Sequence, residues 1–128
     1  MLASTKKILE KANKKNYAVG HFNINNMEIL QGVVQAAENL KSPVIISTSE
    51  GAIQYAGINF LYDLTRTASE LAKVSIALHL DHGTDIQLIK QAIKLGYSSV
   101  MIDASHYDFE KNIQITKKVV NLAHKKGI

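Results

Sequence analysis

Residues 76–84 read IALHLDHGT, a stretch in which an apolar run ends in two histidines, an aspartate and a glycine. The apolar part is typical of a buried β-strand, and Gly83 permits the backbone to turn sharply after it. Ionisable side chains such as Asp81 and His82 are rarely fully buried unless they are paired or bind a metal. The stretch therefore predicts a core strand whose carboxyl end carries a functional site.

Strand patterns of this kind alternate with helical patterns along the chain. We predict strands near residues 17–22, 44–48, 74–81 and 98–103. Strands separated by helices imply a parallel sheet with right-handed crossovers. Two α/β architectures satisfy this order, an open doubly wound sheet and a (β/α)8 barrel. The GxGxxG turn is missing after the first strand, which weakens the dinucleotide-binding option.

Apolar residues at 3.6-residue spacing predict the helices. A leading helix over about residues 4–15 has Ser4 as its cap and buries Ile8, Leu9 and Ala12. Asp85 and Asp108 stand where later helices should begin, and Gly96 and Gly127 stand where helices should end. The apolar stripes of these later helices are Met27, Leu30, Val34 and Ala37; Leu61, Leu64, Ala68 and Leu71; Ile86, Ile89 and Ile93; and Phe109, Ile113, Val120 and Ala123.

Polar side chains follow every predicted strand. Parallel strands place their carboxyl ends at one edge of the sheet, where α/β proteins build their sites. Each side chain taken singly could also be a helix cap, but four strand ends together favour a site. The residues concerned are Asn23 and Asn25; Ser47, Thr48, Ser49 and Glu50; Asp81 and His82; and Asp103, Ser105 and His106.

Asp81 and His82 could form a satisfied ion pair at the strand end, and their spacing alone fixes no metal; for chemistry at a carbonyl, the residue types at this edge favour a metal over a Schiff base. A neutral imidazole such as that of His82 is a common zinc ligand, and a bound metal can polarise a carbonyl while a neighbouring carboxylate moves a proton. Schiff-base chemistry needs a lysine in the site, and no lysine lies in or directly after a strand run. His79 is interpreted as a hydrogen-bonded core histidine, or as a group that supports the metal site from behind.

Composition limits the other classes of function. The chain has 128 residues with no cysteine, which fits one domain without disulfides, in keeping with a cytoplasmic protein. The net charge of +4 comes from lysines and the single Arg66, without the interleaved arginines and aromatics typical of nucleic-acid binding. No apolar run reaches the length of a membrane span. We therefore expect neither a nucleic-acid nor a membrane partner.

The sequence resembles the class II, metal-dependent fructose-1,6-bisphosphate aldolases, and the tagatose-bisphosphate aldolases share its features. The resemblance extends over essentially the whole chain, and the ordered combination of SEGA, HLDHG and MIDASH is specific. It rests on YAVGHFNINNMEILQGVVQAAE (17–38), KSPVIISTSEGAIQYAG (41–57), ALHLDHGTD (77–85) and GYSSVMIDASHYDFEKNIQITKKVVNLAHKKG (96–127).

The resemblance implies roles for five residues. Asp81 matches the catalytic aspartate that exchanges the proton, and His82 matches the first of three histidine ligands of the catalytic zinc. Asp103 matches a carboxylate near the metal that can help hold a more buried metal position. Asn23 and Ser49 match residues that line the substrate pocket. His21 occupies a position that varies in the family, and His106 is given no role.

The implied reaction is the reversible cleavage of fructose 1,6-bisphosphate to dihydroxyacetone phosphate and glyceraldehyde 3-phosphate, a step of glycolysis and gluconeogenesis. The implied fold is the N-terminal half of a TIM (β/α)8 barrel, a leading helix and about four βα units, because a whole barrel takes about 250 residues. Family members are usually dimers or tetramers. The alternatives are a tagatose-bisphosphate aldolase and a non-catalytic half-barrel that binds a ligand or a partner.

Four strands leave two unpaired sheet edges, and strands built for burial would also expose an apolar inner face. The chain carries one of the three zinc histidines that the resemblance implies, and His124 cannot replace another because it lies on the last helix, away from the strand ends. We expect the 128-residue chain by itself to be inactive and to self-associate.

Overall fold

The computed structural model describes residues 1–128 as a four-stranded sheet with six helices. The strands pair in the order β1-β2-β3-β4, and every pair is parallel, as the sequence predicts. No helix is both long enough and apolar enough to span a membrane. The elements are α1 Thr5–Lys15, β1 Gly20–Asn23, α2 Met27–Asn39, β2 Val44–Ser49, α3 Glu50–Ala56, α4 Ile58–Leu71, β3 Ile76–Gly83, α5 Ile86–Leu95, β4 Ser99–Ile102 and α6 Phe109–His124.

The first strand is shorter than the predicted 17–22. Gly20 pairs with Val44, so the residue before Gly20 lies opposite Pro43. Proline has no backbone N–H to donate to a neighbouring strand, and the ladder therefore begins only at Val44. At the other end of the sheet, β3 runs to Gly83 and so includes the HLDHG residues.

Side-chain caps begin the helices where the sequence predicts them. Ser4, Asp85 and Asp108 each accept a hydrogen bond from a backbone N–H in the first turn of α1, α5 and α6. Gly96 ends α5 in the left-handed conformation, as predicted.

Gly127 ends the helical backbone after α6, as predicted. It adopts the left-handed conformation with a φ of 74°, and the N–H groups of Gly127 and Ile128 donate to the carbonyls of His124 and Ala123. The regular α-helix itself stops at His124, so the last turn before Gly127 is irregular.

The segment between β2 and β3 contains two helices where the sequence predicts one. Gly57 adopts a φ of 86°, which interrupts the helical backbone between α3 and α4. The predicted stripe over residues 61–71 belongs to α4, and its last member, Leu71, is exposed. The short α3 places its first turn beside the carboxyl end of β2.

The outward face of the sheet packs against the helices and forms the main core. Ile46, Leu78 and Leu80 of the central strands are fully buried there, together with Leu61 of α4 and Ile89 of α5. Their branched side chains suit a parallel strand covered by helices. This layer holds β2 and β3 rigidly and thereby positions their carboxyl ends.

The inner face of the sheet is apolar only at its amino end. Helix α1 crosses that end and packs Ile8 against Ile45 and Ala77. Ile8 and Ala12 are buried as predicted, but Leu9 is largely exposed because it lies off the face that these two residues share.

Farther along the strands the inner face becomes polar, so the expected apolar inner face is wrong. Neighbouring strands place four polar residues in one row across the sheet: Asn23, Ser47, His79 and Ser99.

Candidate metal and catalytic site

A β-bulge makes the side chains of Asp81 and His82 point in different directions. The β3–β4 ladder pairs Leu80 with Val100 and resumes with Gly83 and Ile102, so the two residues between them oppose a single residue of β4. His82 adopts a φ of 50°, in the left-handed region that non-glycine residues rarely occupy. Bulges of this kind re-aim side chains near functional sites. Asp81 stays on the inner face, whereas the His82 side chain is 62% exposed at the rim.

Asn23 holds the Asp81 carboxylate from the neighbouring side of the site. Its Nδ2 donates to Asp81 Oδ2 at 3.0 Å. The Ser47 hydroxyl donates to the other end of the same amide, Asn23 Oδ1, which fixes the orientation of the amide group. The second carboxylate oxygen, Asp81 Oδ1, lies 3.9 Å from His82 Nε2. One oxygen of Asp81 is therefore anchored, and the other faces the imidazole.

Asp103 binds the opposite nitrogen of His82. The distance from His82 Nδ1 to Asp103 Oδ2 is 2.7 Å, and the Ser105 backbone N–H and hydroxyl both donate to Asp103 Oδ1. The hydrogen bond to Asp103, together with the charge of Asp81, raises the pKa of His82 above its ordinary value. The hydrogen bonds from His82 and Ser105 hold the pKa of Asp103 far below its usual range. Asp103 is a carboxylate throughout the neutral range and orients the ring.

His82 has the surroundings of a metal ligand. Histidines that bind metals commonly donate their second ring N–H to a carboxylate, as His82 Nδ1 can to Asp103. In that neutral tautomer Nε2 keeps a lone pair, and a metal can displace a proton from it when the ring is charged. A catalytic zinc usually takes three protein ligands. The residues at this point fit one ligand position of such a centre.

Glu50 fixes the loop that follows the bulge. Its carboxylate accepts hydrogen bonds from Thr84 N at 2.6 Å, Thr84 Oγ1 at 2.8 Å and Asp85 N at 2.9 Å. Burial by itself would raise the pKa of Glu50, but the hydrogen bonds from Asp85 and Thr84 outweigh it and the net pKa is lowered. The first turn of α3 is thus connected directly to the loop that leads out of β3.

A second polar chain lies deeper on the inner face. His79 Nδ1 and Ser99 Oγ are 2.8 Å apart, and the same hydroxyl lies 2.9 Å from Thr5 Oγ1 of α1. Burial and the nearby ring of His21 lower the pKa of His79. The prediction of a hydrogen-bonded histidine at this position is confirmed. The His21 and His79 rings meet edge to face with centroids 5.5 Å apart.

Ser49 and Asn23 line one small cleft between the end of β1 and α3. The Ser49 hydroxyl also accepts the Ala52 backbone N–H at 3.2 Å and so caps α3. Both the substrate-contact and the helix-cap interpretations of this serine therefore have a place in the structure. Ser49 lies opposite Asp81 on the neighbouring strand, and Asn23 is hydrogen-bonded to Asp81, so the two predicted substrate residues both lie next to this aspartate.

Thr48 and His106 lie apart from the cluster. Thr48 faces the helices and is fully buried, with its hydroxyl 3.1 Å from the Tyr97 hydroxyl, so its expected place at the rim is wrong. Side chains alternate along a strand, which sends Thr48 to the opposite face from its neighbours Ser47 and Ser49. His106 is exposed and contacts the ring of Tyr107.

Three features of the site were not predicted from the sequence: the bulge, the Glu50 hydrogen bonds and the proximity of His21 to His79 and Asp81. The bulge has no local signal beyond a glycine after two polar residues. The proximity of His21 follows from strand register, which places it beside Ile45, and thus one strand away from β3. A register assignment from the alternating pattern is the signal that could have found it.

Comparison with known proteins gives one consistent result. A family model described as fructose-bisphosphate aldolase class-II matches residues 3–128. The chain is 47% identical to a fructose-bisphosphate aldolase of Giardia intestinalis, over 99% of this chain and 40% of that protein. It is also 47% identical to the fructose-bisphosphate aldolase of Thermus caldophilus, over 100% of this chain and 42% of that protein. The chain thus spans about two fifths of the length of these relatives.

A solved structure supports the architecture. The YdjI aldolase of Escherichia coli K12 superposes with a TM-score of 0.93 at 40% identity, and the match covers all of this chain and 50% of that one. This agreement confirms the predicted α/β fold class, in which the four βα units correspond to half of a (β/α)8 barrel chain.

Proposed function

Because this chain belongs to the class II fructose-bisphosphate aldolase family, we propose that it carries the proton-transfer residue and one metal ligand of such an aldolase. The reaction is the reversible cleavage of fructose 1,6-bisphosphate to dihydroxyacetone phosphate and glyceraldehyde 3-phosphate. The observation that carries the proposal is the arrangement of Asp81 and His82, the two residues that form the bulge. One oxygen of Asp81 is held by Asn23, and the opposite nitrogen of His82 is held by Asp103.

Asp81 is the group that moves the proton. In retro-aldol cleavage, the hydroxyl on the carbon β to the ketone loses its proton as the adjacent carbon–carbon bond breaks. The Asn23 N–H occupies Asp81 Oδ2, so Oδ1 is the oxygen available to accept that proton and to return it in the condensation direction. Because Asn23 is itself fixed by Ser47, the carboxylate is held in place before substrate binds.

His82 is a ligand of the divalent metal that this family uses, and we propose that this metal is zinc. A metal bound here supplies a Lewis acid that polarises the substrate ketone. Asp103 keeps the imidazole of His82 oriented with Nε2 available for the metal. The predicted role of Asp103 as an additional carboxylate ligand of the metal is compatible with its position beside the His82 ring.

Asn23 and Ser49 are proposed to contact the sugar phosphate from the cleft that they line. The remaining expectations, a cytoplasmic enzyme that forms a dimer or tetramer, belong to this proposal as well. Fructose rather than tagatose bisphosphate is preferred because the two curated relatives described above are named fructose-bisphosphate aldolases.

The first test is an assay of the 128-residue chain with added zinc. We expect no detectable cleavage of fructose 1,6-bisphosphate, because the site has one imidazole where a catalytic zinc usually has three protein ligands. Robust turnover by this chain alone would contradict the proposed division of ligands.

The second test places the chain in a complete barrel. Residues 3–128 would replace the matching segment of the Thermus caldophilus aldolase, and the chimaera would be assayed for cleavage and for bound zinc. We expect activity that Asp81→Asn abolishes with the tightly bound zinc of the His82 position retained, and that His82→Gln abolishes with that tightly bound zinc lost. His124→Gln, at the far end of α6, is the matched control and should change neither. An Asp81→Asn chimaera as active as its parent would overturn the assignment.

A further inference from the structure

We propose that His21, His79 and Asp81 form a second metal site on the inner face of the sheet, separate from the His82 position, for a divalent transition ion such as Zn²⁺ or Co²⁺. One ligand atom from each of the three residues lies within 4.8 Å of the other two. Two imidazoles and a carboxylate are a ligand set that such ions accept, with further positions left open for water.

The geometry of His79 suits a ligand. Its Nδ1 is committed to the Ser99 hydroxyl, which also contacts Thr5 of α1. This hydrogen bond fixes the ring and leaves Nε2 for a metal, in the same way that partners of metal-bound histidines usually orient them. The side chain is partly buried, so its direction is set by packing as well.

His21 supplies the second imidazole from β1. Its ring already stands edge to face with that of His79 at a centroid distance of 5.5 Å. His21 lies on the edge strand and its side chain is exposed, so the ring can turn toward a metal without disturbing the core. The separations of up to 4.8 Å between donor atoms are wider than a tetrahedral centre has, and rotation of this ring can shorten those to His21.

Asp81 completes the set with the oxygen that Asn23 leaves free. Asn23 Nδ2 anchors Oδ2, so Oδ1 can act as a single-oxygen ligand. His82 does not belong to this cluster, because the bulge turns it toward the rim and Asp103. The two adjacent residues of the HLDHG stretch therefore serve two different metal positions.

A metal at this inner position would have a consequence for catalysis, and this consequence rests on the proposed function. When Asp81 Oδ1 binds an ion, it is no longer available to accept the substrate proton. Occupation of the inner site would then inhibit the aldolase at metal concentrations above those that fill the His82 position.

The binding site itself is tested without substrate or turnover. Zn²⁺ would be titrated calorimetrically into the metal-free 128-residue chain and its His82→Gln variant, and Co²⁺ binding would be followed by visible absorption. We expect His82→Gln to keep one metal equivalent, and His21→Gln or His79→Gln in that background to weaken binding by about tenfold or more. His106→Gln and His124→Gln are matched controls that remove exposed histidines outside both sites and should leave binding unchanged.

The outcomes distinguish metal binding at the inner site from metal binding elsewhere on the chain. Loss of all binding in His82→Gln would overturn the proposal, as would binding in that background that does not respond to His21→Gln. Because His21 is exposed, its substitution tests the site even when His79→Gln unfolds the chain, and circular dichroism identifies that case. An inactive aldolase chimaera would leave these results unaffected, since they need no catalysis.

Discussion

His82 is the most informative single residue of the site, because its side chain reaches the rim only through an unusual backbone conformation. A φ of 50° in a non-glycine residue is strained and persists where the surroundings enforce it. Here the enforcing contacts are the bond from His82 Nδ1 to Asp103 and the ladder that resumes at Gly83. The strain turns two consecutive residues toward two different partners, Asn23 and Asp103.

The hydrogen bond between His82 and Asp103 raises the pKa of His82, and this effect can be tested by substitution. Asp103→Asn should lower the pKa of His82 toward the value of an ordinary histidine, because it removes the carboxylate that stabilises the imidazolium. An NMR titration of the His82 ring in metal-free protein measures this. Asp108→Asn, which removes a carboxylate at the start of α6, is the control and should leave the His82 pKa in place. An unchanged pKa in Asp103→Asn would contradict the hydrogen bond.

Gly83 lies at the end of the bulge, where the surrounding atoms leave no room for a side chain. A Cβ at this position would lie 2.9 Å from the Met101 carbonyl oxygen, with Ile89 and Leu80 close on the other sides. Gly83→Ala should therefore lower the free energy of unfolding by about 1–3 kcal/mol.

The matched control for Gly83→Ala is Gly32→Ala, which lies inside α2 where a Cβ meets nothing within 4 Å. Alanine in place of a helical glycine should raise stability by about 0.5–1 kcal/mol. Denaturant unfolding of both variants gives the comparison. Similar changes in the free energy of unfolding for the two variants would show that a Cβ at position 83 does not clash with its neighbours.

At the scale of elements, the first turn of α3 is connected to the loop between β3 and α5. Glu50 makes this connection with three hydrogen bonds to Thr84 and Asp85. The loop begins directly after His82 and Gly83, so its position influences the direction of the imidazole. A helix after β2 thus contributes to a site carried by β3.

Glu50→Gln tests this connection, with a pH dependence whose sign follows from the lowered pKa of Glu50. The folded state holds this carboxylate below its ordinary pKa of 4.5, so the unfolded state binds more protons in acid. The stabilisation is therefore complete above about pH 4.5 and is lost as the pH falls through the folded-state value. Glu50→Gln should cost about 1–2 kcal/mol at neutral pH, and the difference from wild type should shrink in acid.

The control for this prediction is Glu28→Gln, in the first turn of α2, which removes a carboxylate at a similar place in another helix. Urea unfolding of wild type and both variants at neutral and acidic pH gives the measurement. A Glu50→Gln deficit that stays constant down to pH 3 would show that the carboxylate charge is not the stabilising element.

At the scale of the whole molecule, the two sheet edges carry exposed apolar side chains. On α6, beside β4, Phe109 is 75% exposed and Ile113 and Val120 are also exposed, which is why the predicted stripe of this helix is only partly buried. Phe22 is exposed on β1 at the opposite edge. Unpaired strands beside apolar surface favour association with another chain.

We expect the 128-residue chain to self-associate in solution at micromolar concentration. Ile113→Lys with Val120→Lys should reduce this association, because it places charge on the exposed face of α6. Leu71→Lys, at an exposed position on α4, is the matched control and should not. Sedimentation velocity measures the distribution, and a wild-type chain that remains monomeric would contradict the expectation.

Local patterns predicted the elements and their order well, because each depends on neighbouring residues. Apolar spacing identified all four strands, and the caps Asp85 and Asp108 were predicted from residue type alone. The break at Gly57 between α3 and α4 was not predicted, since a glycine inside a helical pattern permits a break without requiring one.

Residue patterns alone were enough to predict that polar residues meet at the carboxyl ends of parallel strands, and that Asp81 and His82 are among them. Which groups touch became apparent only in the folded chain: Asn23 on Asp81, Asp103 on His82, and Glu50 on the loop beyond. These contacts depend on strand register and on a bulge between β3 and β4. The alternating pattern limits the register, but the bulge and the contacts themselves are set by packing between residues far apart in the chain, which no local pattern encodes.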